Sequence, residues 1–379
     1  MRDNFFRKNW SYKLKKILQI GMTSNYGGIE SFLINVYRNI NKEKFQFDFL
    51  DMELNGKEIA YSDEIKKLGG RIYKIPGRRE SFRNNKKELK KILINNDYDF
   101  VHNNILTWSY SNGITLPLKY THSKVIVHSH NSSMNESMKA RRMLDLFNRR
   151  LNYKDNLIRL ACSKEAGVWL FNKKKFKVIP NGIETSKFEF NVDVREEYRK
   201  KFNLNNKKVF LHVGRLSHQK NHKYLFEIFE QILKKEKNSC LVLVGDGELY
   251  KELNMIVKEK NLEKNVIFLG TRHDVYELMC MSDVFLFPSF YEGLPVVLVE
   301  AQATGLPCLV SDNISNEINI TNYINRMNIN DPASKNAALA LNLGKADFDR
   351  EKGATLVKDA GYDISNTVNM LEKIYSNKE

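Results

Sequence analysis

The sequence predicts an α/β protein built from two doubly wound parallel sheets that face a cleft. Three observations predict it. Short apolar runs alternate with helical periodicities along most of the chain, as strands joined by crossover helices do. The length of 379 residues is too great for one ordinary core and suits two domains. The charge also divides. Of the net +16, residues 1–180 carry about +18 and residues 181–379 about −2.

Residues 1–13 read as an N-terminal extension. Its Phe5, Phe6 and Trp10 stand beside Arg7, Lys8 and Lys13. That mix suits a bilayer interface, although an unstructured leader is the commoner outcome. The first domain is expected over 14–185. Lys15–Gly21 is a buried strand, followed by a loop and a helix over Ile29–Ile40. Phe45–Leu50 alternates as a strand does. A short helix over Ser62–Leu68 stops at Gly69-Gly70. Arg71–Ile75 is a strand and Lys86–Asn95 a helix. Phe100–Asn103, Lys124–His128, Leu157–Cys162 and Phe176–Ile179 are the remaining strands. Pro180–Glu184 turns, and the polar stretch to Phe202 reads as a linker. The second domain is expected over 203–360, with strands at Lys208–Gly214, Cys240–Gly245, Val266–Gly270, Val284–Phe287 and Pro307–Val310. Residues 361–379 hold a terminal helix.

Composition narrows the function. Hydrophobic residues make up 42% of the chain, a globular value. The four cysteines are scattered in apolar settings with no CxxC pair. They read as reduced core residues of a cytoplasmic protein, not as a metal site or a disulfide framework. No apolar run approaches a membrane span. The basic clusters, such as Arg141-Arg142, Arg149-Arg150 and Lys173–Lys175, suit anionic lipid, a pyrophosphate-linked acceptor or nucleic acid. A merely solvated basic surface is the plainer reading.

The chemistry concentrates in loops that follow strands. Phe287-Pro-Ser-Phe-Tyr-Glu-Gly-Leu-Pro295 reads as a strand end and a tight loop, and the helix after it carries Glu300. Glu292 and Glu300 are placed to face one ligand. Carboxylates accept charge-assisted hydrogen bonds from sugar and ribose hydroxyls. Between them, the N–H groups of Gly293 and Leu294, expected at the helix start, suit a phosphate. Hydroxyls beside phosphate describe a nucleotide sugar. In Gly214-Arg-Leu-Ser-His-Gln-Lys220, a fork and a movable point charge converge on a pyrophosphate. Gly27 and Gly28 let a substrate approach the backbone, while Glu30 reads as a surface acid of the first helical turn. Gly245 ends another strand and suits the turn or the nucleotide site. Alternation puts His128 and His130 on one strand face. His102 ends a strand and is a candidate acceptor contact. Ser163 is read as strand-end packing that can face the cleft.

The Glu292–Glu300 stretch resembles the Glu-x7-Glu motif of the family 4 retaining glycosyltransferases, which have the GT-B fold, and in particular those of bacterial capsule and exopolysaccharide synthesis. The loop from Gly214 to Asn221 is similar to that family's G-R-L-x-x-x-K-G/N, and Gly27-Gly28 to its Gly-Gly loop. The resemblance implies two Rossmann-like domains and a terminal helix that crosses back to the first. It implies transfer of a hexose or N-acetylhexosamine from a UDP-sugar, with retention, to a lipid-linked or oligosaccharide acceptor. It implies no metal and no other cofactor. Arg215 and Lys220 would hold the leaving diphosphate, Glu300 the ribose, Glu292 the sugar hydroxyls and His130 the sugar 6-position. Arg272 would lie against the base, with Gly214 and Gly245 lining the nucleotide. A cytoplasmic protein, peripheral on the inner membrane face, fits that acceptor. Two rivals stand beside this reading. A non-hydrolysing sugar-nucleotide epimerase shares the fold and donor but should lack the E-G-L-P loop. A nucleic-acid-binding protein accounts for the charge but should show a basic module with exposed aromatics, and none is visible.

Overall fold

A computed structural model describes residues 13–131 and 139–377. The extension's Phe5, Phe6 and Trp10 lie outside the described residues.

The first sheet contains β1 (Lys15–Ile20), β2 (Phe45–Asp51), β3 (Arg71–Lys74), β4 (Phe100–Ile105), β5 (Lys124–Ser129), β6 (Leu157–Ala161) and β7 (Lys177–Val178). The second contains β8 (Lys208–Val213), β9 (Ser239–Val244), β10 (Val266–Phe268), β11 (Val284–Phe287), β12 (Cys308–Ser311) and β13 (Ile324–Met327). The orders are β3-β2-β1-β4-β5-β6-β7 and β10-β9-β8-β11-β12-β13. The pairings are parallel throughout. Parallel strands are covered on both faces, which is why β9, Ser-Cys-Leu-Val-Leu-Val, is buried at every position. Each order reverses once, between β1 and β4 and between β8 and β11. Loops leaving the carboxyl ends of strands at such points form a crevice for ligands. The motif loops after β1, β8 and β11 all leave from these points.

Among the elements outside the expected set, one helix and one strand bear on the second domain. Residues read as linker form a helix, Val192–Lys201. It packs on the Val275–Met281 helix, and its Arg195 and Arg199 bond Asp283 and backbone carbonyls near Ser282. The strand β13 extends the second sheet at its edge.

Glycine is required at two equivalent turns. Gly21 has φ +128° and an added Cβ would lie 2.1 Å from the Asn104 carbonyl oxygen. Gly245 has φ +127° and its Cβ would lie 2.1 Å from the Gly214 carbonyl oxygen. No L side chain fits either turn. Gly245 therefore serves the close approach of the loops after β8 and β9.

The terminal helix, Ile364–Tyr375, crosses back onto the first domain. Ile364, Val368, Leu371, Ile374 and Tyr375 follow helical spacing and join the core under β1 and β2. Each contributes about 1.5–3 kcal/mol when fully buried, so this docking is firm. Glu317 of the second domain caps the Lys164–Phe171 helix of the first, accepting from the N–H groups of Lys164 and Glu165 at 2.8 and 2.7 Å. All four cysteines are buried and free. Among the described residues, no helix is long and apolar enough to cross a membrane.

Candidate active site

On the second domain, the loops after β8 and β11 are stitched together. The Phe290 N–H donates to the Gln219 carbonyl at 2.9 Å, and the Gln219 amide donates to the Tyr291 carbonyl at 2.9 Å. This brings the Lys220 ammonium to 2.7 Å from the Glu292 carboxylate, with side chains only 13% and 11% exposed. The ammonium also lies 4.5 Å from the centre of the Phe287 ring. Lys220 and Glu292 are thus partners in this structure. Arg215 is half exposed, pairs with Glu248 at 3.0 Å, and donates to the Asn25 side chain of the first domain at 3.3 Å.

The helix after β11 is Val296–Ala303, capped by Pro295. Gly293 and Leu294 therefore precede the helix, and the expected helix-start N–H groups are not theirs. Gly293 instead meets the first domain. A Cβ there would lie 3.2 Å from the His130 carbonyl oxygen and 3.5 Å from the Asn131 Cα. Glu300 sits one turn into the helix, and burial pushes its carboxyl up from 4.5 to about 7. Tyr61, across the cleft, is raised mainly by its own burial and also by the charge of Glu300.

Gly27 caps the Gly28–Asn39 helix. Glu30, expected on the surface, is buried. One carboxylate oxygen accepts from the Thr23 N–H and hydroxyl, both at 2.8 Å, and the other from the Gly27 N–H at 3.2 Å. It shapes the glycine loop by capping it from within. Burial raises its pKa, against those hydrogen bonds.

The polar strand β4 explains the histidines. His102, Asn103 and Asn104 lie buried in the sheet beside Gln19 of β1 and His128 of β5. The Asn104 amide donates to Gln19 at 3.1 Å and to the Ile20 carbonyl, so its oxygen faces His130 Nε2 at 3.0 Å. Burial drives the His130 pKa down to about 3, so the ring is neutral. Its proton then sits on Nε2 and Nδ1 is a bare acceptor. Among the described residues this Nδ1 is buried with no partner. His102 was the acceptor candidate, and the structure corrects this. It is fully buried, with Nδ1 2.7 Å from the Tyr375 hydroxyl and Nε2 3.2 Å from His128. A ring bonded inside the sheet does not reach an acceptor in the cleft. The Gln19 amide also donates to the Tyr375 hydroxyl at 3.4 Å. The terminal helix is thereby tied to β1 and β4, and through His102 to His128 on β5. Tyr375→Phe removes both bonds without emptying the space. It is expected to cost about 1–3 kcal/mol, read as a lower urea midpoint with unchanged m-value.

Arg272 is held by Asp274, its Nε at 2.7 Å, and the Tyr198 hydroxyl bonds the same carboxylate at 3.0 Å. The guanidinium is thus already engaged on the protein. Ser163 accepts from the Ala166 N–H as a helix cap. Sequence reasoning assigned no role to Asn25, Tyr61 or Asn104. Only Asn104 left a signal, two positions from His102 on the same strand face. Among the described residues, no cluster of His, Cys, Asp and Glu could hold a metal.

The comparisons with known proteins point one way. The family profile described as "Glycosyl transferases group 1" matches residues 194–351. A Bacillus subtilis protein named as a glycosyltransferase, EpsF, is 34% identical over 96% of both chains. The Escherichia coli UDP-Gal:alpha-D-GlcNAc-diphosphoundecaprenol alpha-1,3-galactosyltransferase is 34% identical over 62% of this chain and 63% of its own. The crystal structure of Anabaena HepE in complex with UDP-glucose superposes with a TM-score of 0.74 at 18% identity, covering 96% of this chain and 99% of that one. This last likeness concerns the fold, which is GT-B.

Proposed function

The chain belongs to the group 1 glycosyltransferases, and on that premise we propose that it moves a hexose or N-acetylhexosamine from a UDP-sugar to a lipid-linked saccharide, with retention and without a metal. The observation that carries this reading is the pairing of loops at the two switch points. Cations, carboxylates and a neutral histidine from both domains converge on one cleft.

Each role follows from chemistry. Lys220 and Arg215 stabilise the charge that grows on the diphosphate as the bond to C1 breaks. Glu300 accepts from the ribose hydroxyls, and Glu292 from the sugar hydroxyls. The bare Nδ1 of His130 suits a donor, such as the sugar's 6-hydroxyl. The Gly28 N–H, at the start of its helix, suits the phosphate, Gly293 and Leu294 border that side of the cleft, and Gly214 and Gly245 line the nucleotide. Arg272 borders the base while remaining on Asp274. The acceptor oxygen attacks C1 on the face the phosphate leaves, and its proton passes to a departing phosphate oxygen. Glu30 is engaged in capping, which supports this route over a carboxylate nucleophile at the glycine loop. The Escherichia coli relative's named diphosphoundecaprenol acceptor supports a lipid-linked saccharide here, and a surface polysaccharide as the product. Proton NMR of the glycoside formed by the purified protein tests the mechanism. The anomeric configuration should match the donor's, and turnover should persist in EDTA. An inverted product, or loss of turnover restored by a divalent cation, would contradict it.

A further inference from the structure

The helix Lys139–Asn148 is packed the reverse of most surface helices. Its inward contacts are polar. Asp145, with its side chain 2% exposed, accepts from the Trp108 N–H at 2.7 Å and from Arg149 at 2.8 Å. Asn148 donates to the Trp108 carbonyl at 2.9 Å. Its outward face is apolar. Met143, Leu146 and Phe147 are 73%, 62% and 60% exposed, with Leu144 beside them and Tyr153 in the following turn. An apolar group of this size on a surface marks an interaction site.

What surrounds it identifies the partner. Arg150 lies over the Phe147 ring at 3.9 Å, and Lys174 over the Tyr153 ring at 5.3 Å. Arg142, Lys173 and Lys175 are exposed nearby in the chain. Between residues 142 and 175 there are nine Lys or Arg against three Asp or Glu, and one of the three is the buried Asp145. A second copy of this chain would bring that basic rim against itself, because a two-fold interface pairs each patch with its own copy. Nucleic acid favours aromatic platforms over Met and Leu. Apolar side chains ringed by basic ones match an anionic lipid interface, where the former enter the acyl boundary and the latter meet headgroups. The location agrees. Trp108 follows β4 and His130 follows β5, so the helix stands at the carboxyl edge that opens on the cleft.

We propose that Met143, Leu144, Leu146 and Phe147 of this helix, with Tyr153 and the Lys173–Lys175 loop, dock on anionic bilayer and hold the cleft at the membrane surface. This rests on the lipid-linked acceptor proposed above. The test is flotation of the full chain with vesicles of phosphatidylglycerol and phosphatidylcholine in equal amounts, against pure phosphatidylcholine. Salt-sensitive binding to the anionic vesicles alone is expected. Leu146→Ser/Phe147→Ser should weaken it by about tenfold or more. Arg150→Glu should weaken it and flatten its salt dependence. Release of UDP with a water-soluble acceptor should be unchanged in these variants, which separates this proposal from the transferase reading. Equal binding by wild type and variants would overturn the proposal. So would a wild-type dimer in sedimentation that the double variant abolishes without any vesicle binding.

Discussion

Lys220→Ala is expected to lower kcat by about 10²–10³ while the donor still binds. The ammonium is held on the loop after β8, 2.7 Å from Glu292 and over the face of Phe287. On the proposed mechanism it is thus already in place when charge develops on the leaving diphosphate. The variant also takes the Lys220 ammonium away from Glu292 in a largely buried site. That second effect is one of stability, on the order of 3 kcal/mol, and has to be separated from the first. Lys220→Ala/Glu292→Gln makes the separation. It should recover most of the lost unfolding free energy and none of the lost kcat. Steady-state kinetics beside urea unfolding of the two variants checks this. Recovery of both together would show the pair to be merely structural.

Glu300→Gln is expected to make the protein more stable and worse at holding donor. Burial raises the carboxyl from 4.5 to about 7. Between these values the unfolded chain releases the proton and the folded chain keeps it. Wild-type stability therefore falls as pH rises from about 4.5 to 7 and stays low above 7. Glutamine avoids this loss. At pH 8 it should gain on the order of 2–3 kcal/mol, and near pH 4 the gain should vanish. Donor binding runs the other way. Ribose hydroxyls donate best to the charged form, so UDP affinity of the wild type should drop as pH falls below 7. Glutamine should bind UDP about 10- to 100-fold more weakly at pH 8 and show little pH dependence. His130 does not confuse the profile, because it stays neutral down to about pH 3. Titration calorimetry with UDP at several pH values, with unfolding at the same values, reads both limbs.

The parts of the fold visible in the sequence were those where burial dictates residue type. Parallel strands such as β9 and β11 are covered on both faces and read as unbroken apolar runs. The helix Val192–Lys201 was hidden because it buries almost nothing apolar. Of its ten residues only Tyr198 is buried, and arginine pairs with Asp283 hold it in place. The strand β13 is a short edge strand whose first three residues are only part buried. The site loops were visible because glycines, prolines and charges recur there at fixed spacing. What the sequence could not show was which groups bind each other. Lys220 with Glu292, Glu30 with the Gly27 loop, and Tyr375 with His102 across 273 positions are tertiary facts. The helix Lys139–Asn148 shows the limit most plainly. Its arginines were legible as charge, but the inward turn of Asp145 and Asn148 was not.

The measurement that tests the central claim most directly is nucleotide release from a panel of UDP- and GDP-sugars, with membrane extract as the acceptor source. It is run with EDTA, beside Arg215→Ala and Lys220→Ala. The account predicts UDP release from one donor that requires extract, survives EDTA and is lost in both variants. Release equal in wild type and variants would contradict it, as would no release from any donor together with no thermal shift by UDP or GDP.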